Sequence, residues 1–553
     1  MGVVLFLFNF AYPWWVRKLL LIALSSFAFI AAAVPSIGQT DPDEQWITQH
    51  SSNETERMLE FNWGEGLVSS YRSPAIEPGF SPGKFVPGLR CSSVDDPRCQ
   101  DAISLIYSTY FDTCRTGSDT DCIEEFWLTN NEGKKFKGNF KQNFPASTKE
   151  LYSNAGSRYL LKAANPSLFG VSGISSGGES NFIVSVETGQ GTATRKQGPP
   201  PRNFNPIQSY SAQVFAVSEL DFKKLYTEEE MRTKLDNEKK RCAAYDDETK
   251  ICQLKIPFPE NLKLGLKLRF AGTPLGWLHG RIKSPVAEVK YLGNVTTISI
   301  EGLPLQVPIQ SSAVPYKNLR TLGNESDDTY IQTFHNYSGG MNESFGTFNS
   351  LAVYPGLSGN TEGFESWRKF AGDAADKAVA TPSIWKFGSM SSGPNQIIQN
   401  CVSEISGFAG MVSTNALTYM TGPPDFDLST GNLDYVVSSP HFAPNNQPFE
   451  GTYDLLMDSR VAKCIYDVAK VPTSASISIL KDGNVEKTST ITLQEKNGFL
   501  LMSAQGFNFS SPTLRVKLIT PKSSKSIKCK KGSFTKIVKG ASPKCPKGYK
   551  LVK

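Results

Sequence analysis

Ten cysteines constrain this chain more than any other feature. They stand at Cys91, Cys99, Cys114, Cys122, Cys242, Cys252, Cys401, Cys464, Cys529 and Cys545. The number is even, and they fall into neighbouring couples: 91 with 99, 114 with 122, 242 with 252, 401 with 464, 529 with 545. The first two couples each enclose seven residues, as a duplicated device would. In an exported protein such couples predict disulfides, each short one closing a hairpin or loop. Spacing alone leaves connectivity open, and the first four cysteines could pair crosswise. A zinc site needs C-x-x-C or Cys/His clusters, and the sequence has neither. The 401/464 couple encloses the longest loop, so on the chain-entropy account it stabilises most. It is expected to pin the first strand of a C-terminal domain.

The N-terminus predicts export. Arg17 and Lys18 precede residues 19–34, sixteen positions without a charge, and the run ends in Ala31-Ala32-Ala33-Val34-Pro35-Ser36. A basic patch, an apolar core and small residues make a secretory signal. Ala31 and Ala33 offer an A-x-A cleavage site, with Val34/Ser36 and Ser36/Gly38 as alternatives. Sixteen residues are short for a membrane span, which needs about 20, so cleavage is expected rather than anchoring. A secreted or cell-surface location is therefore expected, with no transmembrane span after signal removal. Residues 1–15 are apolar and uncharged, which is unusual for a signal. Translation starting at Val16 would open on a standard basic region instead.

Length and composition bound the rest. The 553 residues suit several domains at roughly 100–200 residues each. With 39% hydrophobic, 11% aromatic and 20% charged residues, the bulk is not disordered. Only His50, His279, His335 and His441 are present, which disfavours His-rich metal chemistry. No cofactor is expected.

The pattern along the chain predicts a mainly β, multidomain protein built of β-sandwich domains, Ig-like or jelly-roll-like, with two or so peripheral helices. After a signal at 1–38 come an N-terminal disulfide-containing β region (39–217), a central β domain (218–395), a C-terminal β-sandwich (396–520) and a Lys-rich tail (521–553). Strands are expected at 126–128, 158–163, 181–187 and 211–217, then at 263–270, 277–283, 286–292 and 296–301. Seven more are expected at 408–414, 433–437, 451–456, 475–480, 489–494, 500–504 and 514–519. Seven short strands in such a stretch is an Ig-like count. Asp482-Gly483 and Asn497-Gly498 are hairpin turn signals, and Pro199-Pro200-Pro201 is a stiff connector. A short helix is expected near 54–61. A surface helix is expected at 228–243, with Thr227 and Glu230 as a capping box. Another is expected at 363–379, stopped by Pro382.

The tail holds eleven lysines and no Asp or Glu, while the whole chain carries +6, so everything before the tail sums to −5. It is therefore a positive module on a mildly acidic protein. Clustered lysines, here Lys528, Lys530, Lys531, Lys544 and Lys547, attract phosphate- and carboxylate-rich polymers, and salt weakens the attraction. An anionic cell-envelope polymer or glycan is the expected partner, and nucleic acid is not, given export. The lysine spacing and the 529/545 couple suggest a small folded knob.

Two stretches and the tail carry a resemblance. Phe408-Ala409-Gly410-Met411-Val412-Ser413-Thr414-Asn415-Ala416, the run from Glu450-Gly451-Thr452-Tyr453-Asp454 to Cys464, and Glu495-Lys496-Asn497-Gly498-Phe499-Leu500 resemble a C-terminal domain of large secreted actinobacterial proteins. Gly276-Trp277-Leu278-His279-Gly280-Arg281-Ile282 looks like a central motif of the same proteins. Cys529-Lys530-Lys531-Gly532 with Pro543-Lys544-Cys545-Pro546-Lys547-Gly548-Tyr549-Lys550 resembles a short basic ending of varied secreted actinobacterial proteins. The resemblance implies an envelope or extracellular location and brings no activity. On that reading the sequons, such as Asn53-Glu54-Thr55 and Asn294-Val295-Thr296, are incidental.

Candidate chemistry is thin. Gly173-Ile174-Ser175-Ser176-Gly177 matches the G-x-S-x-G elbow, which requires a strand before and a helix after. Here the next residues, Gly178-Glu179-Ser180-Asn181-Phe182-Ile183-Val184, read as a strand. Asp119, Asp121, Glu124 and Glu125 flank Cys122, and residues 424–431 begin like a calcium loop. Both lack the remaining EF-hand positions, so solvated acidic turns are expected. Trp277, His279 and Arg281 alternate onto one face of a strand. They could stack on a sugar or hold an anion, or Trp277 could simply be core. The sequence thus predicts a secreted, envelope-associated, non-catalytic β protein in adhesion, envelope structure or glycan binding. The alternative is a secreted polysaccharide hydrolase with an acidic site between β domains.

Overall fold

Two kinds of hydrophobic pattern build the β architecture. In the computed structural model, strand Lys263–Ala271 alternates: Leu264, Leu266, Leu268 and Phe270 are buried while their neighbours face outward. Strand Tyr210–Asp221 likewise buries Tyr210, Ala212, Val214 and Ala216. Strand Phe408–Thr414 is instead buried at every position, and Gly451–Asp458 at all but one. Alternation marks a strand with one covered face, and a continuous apolar run marks a strand covered on both.

The structure describes residues 58–65, 71, 73–80, 89–100, 102, 104–146, 152–153, 160–175, 178–191, 209–274, 276–315, 344–345, 350–353, 355–405, 407–481, 484–493, 495–509, 513–519, 525–532, 534–540 and 544–552. All belong to the unit Asp43–Lys553. The stretches expected to be an export signal, a triple-proline connector and an Asp482-Gly483 turn lie outside them.

Three layers result. An outer layer of Cys122–Thr129, Lys263–Ala271 and Val295–Gln306 pairs antiparallel and faces inward with Phe126, Leu128, Leu266, Leu268, Ile298 and Ile300. A middle layer includes Phe408–Thr414, Gly451–Asp458 and Phe499–Phe507, paired antiparallel in that order. Successive residues of these strands enter different cores. Met411, Leu456 and Phe499 join the first, while Val412, Leu455, Met457 and Leu500 join the second. The other side of the second core is a sheet of Asn432–Ser438, Thr513–Ile519, Ser474–Lys481 and Asn484–Thr492, which supplies Tyr435, Val437, Ile477, Ile479, Leu514 and Val516. The chain is therefore mainly β, with sandwich-like layers sharing a wall.

Strand Gly276–Leu292 links the layers. Its first part pairs parallel with Phe408–Thr414, and residues 282–292 pair antiparallel with Val295–Gln306. Near the start of the second part lies an irregularity at Lys283/Val286, with Ser284 at φ 51°. Such bulges let one strand turn from one layer into the next. Ser413 fixes the bend: its hydroxyl donates to Ile282 O and accepts from Ile282 N. Asp454 accepts from Ser284 N at 2.8 Å. Residues expected in the central and C-terminal regions thus share one sheet.

The ten cysteines are joined as Cys91–Cys99, Cys114–Cys122, Cys242–Cys252, Cys401–Cys464 and Cys529–Cys545. Cys401–Cys464 does not pin a first strand. It ties helix Gln396–Ile405 to helix Ser459–Ile465. Helix Glu228–Lys239 carries the expected capping box: Thr227 N donates to Glu230 Oε2, and Glu230 N to Thr227 Oγ1. It stops short because Cys242–Tyr245 is drawn into a strand beside Ile251–Ile256, where Cys252 lies. The next helix, Thr361–Ala371, ends at Gly372, whose φ of 60° breaks the helical path. The helix expected near 54–61 is replaced by strand Met58–Trp63. That strand lies between Gln310–Pro315 and Ser350–Val353 and buries Phe61 and Trp63 against Phe364 and Trp367. Among the described residues no helix is long and apolar enough to cross a membrane.

Candidate functional site

Strand alternation does place Trp277, His279 and Arg281 on one face, opposite Leu278 and Ile282. Trp277 enters the second core. Arg281 is fully buried and its donors are engaged. Nε donates to Glu65 Oε1 at 2.8 Å, and Nη1 donates to Thr414 O and Ala416 O, both at 2.6 Å. Nη2 reaches Leu417 O at 3.5 Å. The guanidinium thus caps the carbonyls leaving Phe408–Thr414, and Glu65 neutralises it. Lys386 Nζ lies 3.5 Å from Glu65 Oε2. His279 stacks on Tyr419 with ring centroids 3.7 Å apart, and Nε2 has no partner among the described residues. Burial, with Arg281 and Lys386 nearby, pushes the imidazole well below its ordinary range. For Glu65, burial raises the carboxyl, but the Lys386 and Arg281 charges outweigh it and hold the group low. These geometries describe an internal strut and leave no guanidinium open to a sugar or an anion.

A second polar cluster had no signature in the sequence. Helix Thr361–Ala371 presents Glu365 and Arg368 one turn apart. Arg368 Nη2 donates to Glu365 Oε2 at 2.5 Å, and Ser438 donates its hydroxyl proton to Glu365 Oε1. His441 Nδ1 lies 2.7 Å from Asp376 Oδ1, with Arg368 Nη1 2.8 Å away. An imidazole oriented by a carboxylate would suit acyl transfer if a nucleophile faced it. The hydroxyl of this cluster, Ser438, is fully buried and bonded to Glu365. As arranged, the cluster tethers the helix to strand Asn432–Ser438.

The other motifs fold as turns or lie on strands. Ser167–Ser175 and Gly178–Gly191 pair as a hairpin, with Ser175 opposite Gly178, so the G-x-S-x-G motif has no helix after it. Asp119 accepts from Arg115 N, Thr116 N and Thr116 Oγ1, while Glu124 accepts from Lys267 and Arg269. Asp427 accepts from Ser429 and Thr430 in the turn before Asn432–Ser438. These carboxylates are occupied by their own loops or by cations.

The tail residues do come together. Lys525–Lys531 and Phe534–Gly540 form a hairpin, and Lys550–Leu551 adds to its other edge. Lys531 pairs with Phe534 across a turn where Gly532 has φ 59°. Val552 N donates to Lys528 O at 2.8 Å. Cys529 is fully buried and bridged to Cys545, so the disulfide takes the place of a core. Lys528, Lys530, Lys531, Lys544 and Lys547 are all exposed, as are Lys536 and Lys550. Lys530 stands directly opposite Lys550, a like-charge pair that costs stability unless an anion joins it. Sequence reasoning missed that Phe534, Ile537 and Leu551 are also exposed here. Their apolar character among lysines was the available signal. No family model matches the chain, and no curated protein matches it.

Proposed function

We propose that this protein works outside the cell as a non-catalytic β protein, held at the cell envelope by its C-terminal sheet, which binds an anionic envelope polymer or glycan. The observation that carries the reading is the exposed lysine set on a disulfide-bonded sheet. The last 33 residues contain no carboxylate side chain to neutralise it. The layered β body is the displayed part, in adhesion, envelope structure or glycan binding.

Attraction of this kind weakens with salt, because the Debye length shrinks from about 10 Å at 0.1 M to about 3 Å at 1 M. The test is co-sedimentation of the full chain with Gram-positive cell envelopes across a salt series. It is compared with a variant carrying Lys528→Gln, Lys530→Gln, Lys544→Gln, Lys547→Gln and Lys550→Gln. The wild type should pellet at low salt and be released at high salt, and the variant should stay in solution. Equal pelleting of the two proteins would sink the reading.

A further inference from the structure

The C-terminal sheet carries more than charge. Directly paired residues of an antiparallel sheet share a face. Ile527, Cys529 and Lys531 pair with Val538, Lys536 and Phe534, and Cys529 also pairs with Leu551. Lys528, Lys530, Ile537, Thr535 and Lys550 share the reverse face. The Cys529–Cys545 bridge draws the following segment over the first face, where Gly548 lies against the Lys531 side chain. The centre is covered, and Ile527 and Val538 are half-buried. The rim is not: Phe534 is 73% exposed, Leu551 56% and, on the reverse face, Ile537 61%. Phe534 stands at the hairpin tip, beside Lys531 and near Lys530.

A polyanion without sugar rings, such as polyphosphate, engages ammonium groups only, and a glycan that stacks a sugar on Phe534 still offers no apolar layer to Ile537 and Leu551. A charged bilayer interface serves both the lysines and the apolar side chains. Its head groups take the lysines, and its acyl boundary takes the apolar residues between them. Lysine stems let the ammonium groups stay among phosphates while neighbouring side chains sink deeper.

We infer that the C-terminal sheet docks on an anionic phospholipid surface, hairpin tip first, with Phe534 at the acyl boundary, Ile537 and Leu551 behind it, and Lys530, Lys531 and Lys550 on the phosphates. The inference rests on the electrostatic attachment proposed above and puts an anionic lipid surface, in place of a polymer or glycan, against the lysines.

The test uses the full chain with three probes: phosphatidylglycerol-containing phosphatidylcholine vesicles, pure phosphatidylcholine vesicles and soluble polyphosphate. Binding should require phosphatidylglycerol. Phe534→Ser should lower vesicle affinity about tenfold and leave polyphosphate binding unchanged. A Phe534→Trp variant should gain fluorescence quenching by brominated acyl chains that wild type lacks, a readout independent of how Phe534→Ser folds. If Phe534→Ser binds vesicles like wild type and Phe534→Trp gains no quenching, the lipid inference is overturned while polyphosphate and envelope binding keep the attachment reading. If the chain binds neither vesicles, polyphosphate nor envelopes, both are overturned.

Discussion

Arg281 shows how much one residue can hold. It joins Glu65, just after strand Met58–Trp63, to the end of strand Phe408–Thr414. Removing one partner of a buried pair leaves the other charged and unsatisfied. Arg281→Ala should therefore cost about 3–5 kcal/mol, read as a lower denaturation midpoint. His279 gives the same strut a pH dependence. Its folded form resists protonation, while the unfolded chain takes a proton below about pH 6.5. The unfolded state then binds more protons, so stability falls as pH drops below that point, by up to about 1.4 kcal/mol per pH unit. Glu65, held low in the fold, adds a loss in the same direction once pH passes below the ordinary carboxylate range. His279→Phe should keep the stack on Tyr419 and flatten the limb between pH 6.5 and the carboxylate range. An unchanged slope in urea titrations at several pH values would count against this account. The shared face of Trp277, His279 and Arg281 was legible, because strand alternation is local. Glu65 was not, because 216 positions separate it from Arg281 and no local rule spans that distance.

At the scale of elements, the strands with one covered face and the apolar runs near 408–414 and 451–458 were readable. So were the Asn497-Gly498 turn, whose residues have φ 54° and 82°, and the Thr227–Glu230 cap. What escaped were elements decided by neighbours. Met58–Trp63 is a strand because two distant strands leave a slot for it, and Gln396–Ile405 is a helix although its apolar residues also suit a strand. The bend in Gly276–Leu292 was read as two strands, and its cause lay in Ser413 and Asp454 on other strands. Burial raises the Asp454 carboxyl, while Ser284 N and Ser503 Oγ donate to it. Asp454→Ala leaves those donors unmet and should cost about 1–3 kcal/mol. Asp454→Asn keeps an acceptor for Ser284 and removes the buried charge, so it should stay within about 1 kcal/mol of wild type. Replacing Cys401 and Cys464 together by Ala opens the longest bridged loop. It should cost about 4 kcal/mol on the chain-entropy account, with the helix pair Gln396–Ile405 and Ser459–Ile465 losing hydrogen-exchange protection first.

For the whole molecule, the shared wall matters most. Met411, Leu456 and Phe499 complete one core, while Val412, Leu455 and Leu500 complete the other, from the same three strands. Neither sandwich can lose the wall without exposing the other, so calorimetry should resolve one main transition for these layers rather than two. The C-terminal sheet stands apart from this dependence. Its one buried described residue is Cys529, and its order rests on a single covalent bond. If the sheet attaches the protein as proposed, its hold is conditional on surroundings that keep thiols oxidised. A reductant would loosen the array that presents the lysines, and it would also open the four bridges of the body, where large apolar cores remain to hold the layers together. The attachment would then behave as a clasp that opens on electron transfer and needs no protease to release what it holds.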